Sequence, residues 1–157
     1  MKRKAQIQTQ ILIYVFALIV VSLILIFGVK AIGGFRKDTQ KVANVAFQTD
    51  FKALIANVAA QYGSVEKADI MLSTDYIKAC FVDKQTDPAH VSYAFIKDAL
   101  STDENVFLVK SPSDIESFKT TTPIQVNAPG HYYCVPNTNG KITFTITGKS
   151  RFAEISP

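Results

Sequence analysis

Hydrophobic and polar positions divide this chain into three stretches of different period. From Ala5 to Val29 there is no charged residue, and Ile11–Val29 (ILIYVFALIVVSLILIFGV) is apolar almost without interruption. At about 1.5 Å per residue, a helix over that run spans ~28 Å, close to the ~30 Å of bilayer hydrocarbon. The pattern predicts a helix apolar on every face, and a chain of 157 residues has little else with which to cover one in water. A membrane-spanning helix is the leading expectation. Two alternatives stand beside it. One is a cleaved secretory signal, for which Val29-Lys30-Ala31 is a tolerable site, although the apolar stretch exceeds the usual ~7–15 residues. The other is a helix buried in a soluble core.

Over residues 35–62 the period changes. Phe47, Phe51, Leu54, Ile55, Val58 and Tyr62 recur at steps of three and four, with Gln48, Asp50, Lys52 and Asn57 between them. That is the stripe of an amphipathic helix, whose apolar face must lie on the rest of the chain or on a neighbouring subunit. Gly33-Gly34 stands at the junction of the two helical stretches, where two glycines weaken a helix enough for a kink or local melt. Gly63-Ser64 closes the second stretch as a C-terminal glycine does.

Beyond Ser64 the period is mostly that of strands. Ala68–Ser73 and Tyr76–Val82 are short apolar-rich runs separated by Thr74-Asp75, which predicts a hairpin. Asp87-Pro88 is a cap and first-turn pair that predicts a helix over Ala89–Leu100. Val106–Val109 reads as a brief strand, and Ile124–Asn127 and Tyr132–Val135 as two more, joined through the turn signal Ala128-Pro129-Gly130. Lys141–Thr147 (KITFTIT) alternates without a fault and sets Ile142, Phe144 and Ile146 on one face. Asn137–Gly140 turns into it, and Gly148-Lys149-Ser150 leads on to Arg151–Ile155, where Phe152 is expected to face the same core. The fold class predicted is α+β: a long N-terminal helix and a small, mostly antiparallel β-rich head with one short helix. The corresponding divisions are a possible leader over 1–5, the apolar helix over 6–34, the amphipathic stem over 35–63 and the head over 64–157.

Charge adds an orientation. Lys2, Arg3 and Lys4 precede the apolar run, while Lys30, Arg36 and Lys37 follow it less densely and are interrupted by Asp38. Clustered positive charge stays cytoplasmic, so the N-terminus is expected inside and the head outside the cell. The formal net charge is +4, most of it in the first four residues. The other basic residues are dispersed and not interleaved with aromatics, which predicts no nucleic-acid partner.

Candidate chemistry is sparse. Cys80 and Cys134 fall in predicted strands; in an extracellular head they can form a disulfide, and two buried thiols are the alternative. His90 and His131 sit in no metal-binding spacing, and Asp83–Asp87 lacks the alternating ligands and glycine of a calcium loop. With no Gly-rich phosphate loop and no GxSxG, the sequence predicts no enzyme, no metal, no cofactor and no small-molecule substrate. It contains no N-x-S/T triplet for an asparagine-linked glycan.

Lys4-Ala5-Gln6-Ile7, set directly before the apolar run, resembles the leader-processing site of archaeal type IV pilin-like proteins. By that resemblance a prepilin-peptidase-like enzyme cuts between Ala5 and Gln6, and Gln10 falls at the fifth mature position. Related pilins often carry glutamate or another polar residue there, which in bacterial pilins is associated with pairing to a neighbouring N-terminus. Gln10 can hydrogen-bond but cannot form a salt bridge. The resemblance further implies a stem helix from Gln6 to about Tyr62 that rests in the bilayer and then packs among identical helices, with Leu12, Ile19, Leu23 and Ile26 in the filament core. Gly33-Gly34 is not required by that pattern, and a head containing a helix need not be the immunoglobulin-like sandwich common in archaeal pilins. The expected partners are therefore the lipid bilayer, further copies of this chain and the processing enzyme, first at the cell membrane and then in a surface filament. A stand-alone anchored surface protein whose head binds a ligand or envelope partner needs only the membrane helix, and remains the alternative. An anchored enzyme has nothing in the sequence to recommend it.

Overall fold

In a computed structural model of the chain, residues 12–30 and 41–157 are described in full. The chain divides into two compact units, Met1–Lys41 and Val42–Pro157. Helix α1 (Arg3–Ala60) contributes to both. Within the first unit, Leu12–Lys30 is long and apolar enough to cross a bilayer. Its large side chains are exposed, from 37% at Val20 to 72% at Val29. Within that run the Ser22 hydroxyl donates to the Leu18 carbonyl at 2.8 Å. That bond satisfies the hydroxyl within the helix itself. The junction at Gly33-Gly34 lies outside the described residues.

The second unit contains the last turns of α1 and then β1 (Val65–Met71), β2 (Lys78–Val82), α2 (Ala94–Ala99), β3 (Val106–Ser111), β4 (Asp114–Phe118), β5 (Ile124–Val126), β6 (Tyr132–Pro136), β7 (Lys141–Gly148) and β8 (Ala153–Ser156). A 3-10 turn over Pro129–His131 precedes β6. The strands form two four-stranded sheets, ordered β1-β7-β8-β5 and β4-β3-β2-β6. All pairs are antiparallel except β5 with β8, so the mostly antiparallel β-rich head stands.

Two burial patterns explain the sheets. In β7 the alternation does what it predicts: Ile142, Phe144 and Ile146 are buried while Lys141 and Thr143 face water. In β2 and β3 the apolar residues are consecutive, and Ala79–Val82 and Val106–Val109 are all buried. That sheet is covered on both faces, which removes the need for alternation. One face, with Ala79, Phe81, Val106 and Leu108, joins the main core between the sheets. The other, with Cys80, Val82, Phe107 and Val109, forms a second cluster with Val91, Ile96 and Ala99 around α2.

Several local expectations are overturned. Ala68–Ser73 and Tyr76–Val82 do not form a hairpin. β1 pairs with β7, whereas β2 pairs with β3 and β6 in the other sheet. The Thr74-Asp75 turn carries the chain from one sheet to the other. The helix expected over Ala89–Leu100 covers only Ala94–Ala99. Asp87 does cap, but its carboxylate takes the Ala89 N–H at 2.9 Å and closes a single turn. The helix starts only after Tyr93, whose backbone is extended at φ −111° and ψ 125°. Phe152 is half-buried and lies one residue off the core register, which Ala153 and Ile155 occupy. Strand β4 has no counterpart in the sequence reading, since Asp114, Glu116 and Ser117 hide its alternation.

Candidate functional site

The stem stripe finds its cover in the same chain. Phe47, Phe51, Ile55 and Val58 are buried in the main core, and Leu54 packs partly buried against it. Of the two covers the sequence left open, head or neighbouring subunit, the head takes these residues. Phe51 is the hub: its ring stacks on Phe81 with centroids 5.4 Å apart and meets Phe118 edge-on at 6.1 Å. Phe47 and Phe144 complete the aromatic group at 5.8 and 6.0 Å from Phe51. Tyr62 is a correction. It is 79% exposed because α1 ends at Ala60, so the helical period that carries the stripe stops before Tyr62.

A polar tie holds the same seam. The Glu116 carboxylate on β4 accepts hydrogen bonds from the Asn44 side-chain amide of α1, from the Tyr76 hydroxyl at 2.9 Å and from the Lys110 ammonium. Burial by itself pushes the pKa of this carboxyl up, but the Lys110 and Tyr76 bonds outweigh it and hold it below the ordinary glutamate value. Tyr76 is pushed up, by burial first and by the bond to Glu116 second. Lys110, bonded to Glu116, is also raised. Nothing in the spacing of Asn44, Tyr76, Lys110 and Glu116 reveals this group, since its members lie on four separate segments.

Cys80 and Cys134 stand directly opposite each other in the β2–β6 register and form a disulfide spanning 54 residues. Of the two sequence readings of these cysteines, the bonded one holds. In the chain-entropy model a crosslink of that span contributes about 4 kcal/mol. His131 Nδ1 lies 3.2 Å from Asp83 Oδ2, and His90 Nδ1 lies 3.0 Å from Asp87 Oδ2. These pairs organise turns; among the described residues, no three His, Cys, Asp or Glu side chains are grouped to hold a metal.

The remaining sequence-predicted residues lie in the N-terminal unit. Leu12, Ile19, Leu23 and Ile26 are all exposed along α1. Lys4, Ala5, Gln6, Ile7 and Gln10 lie outside the described residues. The head also contains a cleft with mixed polar and apolar walls, opening where the loop after β2 faces β5 and the turn into β8. Its residues are too scattered along the chain for any motif to reveal. No family model, curated protein or solved structure matches this chain.

Proposed function

We propose that the chain is a type IV pilin-like structural subunit, held in a bilayer by its apolar helix and assembled through that helix into a surface filament or pseudopilus. The observation that carries this reading is the divided use of α1. Its Phe47–Val58 stripe is already committed to the head, whereas the apolar surface over Leu12–Val29 is exposed all round. Such a surface is stable in lipid and equally stable among identical helices, so leaving the bilayer for a filament core need not expose it to water. In this reading the N-terminus lies in the cytoplasm and the head outside. A peptidase removes Met1–Ala5, and Leu12, Ile19, Leu23 and Ile26 meet neighbouring stems. Gln10 supplies a polar contact near the new N-terminus.

A stand-alone anchored protein is the second reading, favoured by the cleft in the head. N-terminal sequencing and intact mass of the protein from its native membrane separate the two. The pilin-like reading expects a chain beginning at Gln6. A chain that keeps Met1–Ala5 while the peptidase is active overturns processing, and one beginning at Ala31 or Ile32 makes the head a secreted protein and overturns both readings.

A further inference from the structure

Strand order places β1 at an edge, and it is the longest edge strand of the head: 7 residues, against 3 in β5 and 5 in each of β4 and β6. Its inner side is spent on β7. The Leu72 N–H donates to the Gly140 carbonyl, and the Ser64 carbonyl accepts the Gly148 N–H, each at 2.9 Å. Hydrogen-bonded positions alternate along an antiparallel ladder, so between those two bonds Glu66, Ala68 and Ile70 face β7. The backbone groups of Val65, Lys67, Asp69 and Met71 then point away from the sheet. Among the described residues, they find no hydrogen-bond partner beyond the sheet. Helix α1 does not close this side, since an open groove runs along Glu66–Met71 with Asp50 and Leu54 on its other wall.

The side chains on the outward rungs share one solvent face. Val65 and Met71 are 68% and 72% exposed, with Lys67 and Asp69 between them. Asp69 accepts the Thr143 hydroxyl at 2.6 Å and lies 3.3 Å from the Lys141 ammonium. Lys67 also pulls on Asp69 more weakly, but has no ion pair of its own among the described residues. A lysine in the middle of an edge strand ordinarily turns other strands away. An added strand is admitted where it sets an acid opposite that lysine.

β1 is such a strand. When two copies run antiparallel about Ala68, Val65 falls opposite Met71 and Lys67 opposite Asp69, and each of these pairs uses outward rungs on both copies. Opposed residues of this kind exchange two N–H···O bonds. Glu66 falls opposite Ile70 and meets no like charge. The smallest slip that keeps the outward rungs is two residues, and it sets either Lys67 against Lys67 or Asp69 against Asp69. One register therefore satisfies both the backbone and the charges.

We propose that two copies of this chain join head to head through β1 in that register, continuing the β1-β7-β8-β5 sheet across the contact. The backbone rungs supply the attraction and alternate side chains the specificity, as in strand addition generally. Lys67 and Asp69 select the partner, and Val65 and Met71 cover one another at the two ends. The contact uses no residue of the apolar helix and stands apart from the filament reading.

The full chain, placed one copy per lipid nanodisc, tests this, because each apolar helix then stays in its own bilayer and only heads can meet. In sedimentation velocity, discs carrying the wild type are expected to pair as concentration rises. K67D sets two acids opposite each other, D69K sets two lysines opposite each other, and each should weaken pairing at least about tenfold. An equimolar mixture of the two variants should restore it, since each supplies the charge the other lacks. K67P removes only an outward N–H, which an edge strand tolerates, so it should abolish pairing and leave the unfolding midpoint near that of the wild type. Absence of wild-type pairing overturns the proposal. So does pairing by K67D or K67P as tight as that of the wild type, which would put the contact elsewhere on the head. A mixture that pairs no better than its components overturns the register; if D69K does not fold without its bonds to Thr143 and Lys141, K67D and K67P decide alone. Loss of filaments in a variant of the apolar helix leaves disc pairing unchanged, so the two readings fail separately.

Discussion

At the scale of single residues, Glu116 and Gly148 show how little the chemistry of a side chain says without its neighbours. Glu116 has a folded pKa below its unfolded value, so its bonds to Lys110 and Tyr76 contribute stability above the unfolded pKa, and that contribution is lost as pH falls through the folded one. E116Q should therefore lower the thermal midpoint at pH 7 and flatten its decline between about pH 5 and pH 3, with the two proteins converging in acid. Parallel pH profiles would show that the carboxylate does not matter. Some slope remains in either protein, because Asp69, Asp87 and Asp103 are also held below the ordinary aspartate value by their hydrogen-bond partners. Gly148 is required for space. A Cβ there would stand 2.1 Å from the carbonyl oxygens of both Gln61 and Val58. Its N–H donates to the Ser64 carbonyl and its own carbonyl accepts the Gly63 N–H, each at 2.9 Å, so the end of α1 and the end of β7 are locked around it. G148A should cost about 1–3 kcal/mol and lower the midpoint by several degrees in a melt followed by circular dichroism.

At the scale of elements, α1 carries two kinds of face, and one substitution in each half separates them. F51A removes the hub of the aromatic group and should destabilise the head by about 3–5 kcal/mol in urea unfolding, whatever happens to assembly. L23K places a charge in the middle of the exposed apolar run; on the filament proposal it should abolish filaments while leaving the unfolding of the head unchanged. Blotting of the membrane fraction checks that the variant still inserts, since a central lysine costs about 2.5–3.5 kcal/mol on insertion scales. Filaments of normal yield from L23K would refute packing through this helix. The short α2 has a different role. It covers the outer face of the β2–β3 layer and closes over the disulfide, and this second cover lets those strands be apolar without alternation.

At the scale of the whole molecule, an apolar helix precedes a head in which two four-stranded sheets and the end of α1 share one core. Much of this was legible where one segment's own period carries the signal: the membrane-length run, the Phe47–Val58 stripe and the alternation of β7. Less was legible where elements meet. The amphipathic stripe announced a buried face but not its cover, Thr74-Asp75 announced a turn but not a change of sheet, and Cys80 and Cys134 offered two thiols but not their opposition across β2 and β6. Glu116 and its partners, like the walls of the cleft, left no local trace. The sequence by itself determined the apolar run, the Phe47–Val58 stripe and the alternation of β7, because period and polarity act between residues a few positions apart. Only the tertiary structure decided strand partners, the cover of the stem, the cysteine pair and the cleft. Those depend on contacts between segments tens of residues apart, whose competing pairings are resolved only when the core closes.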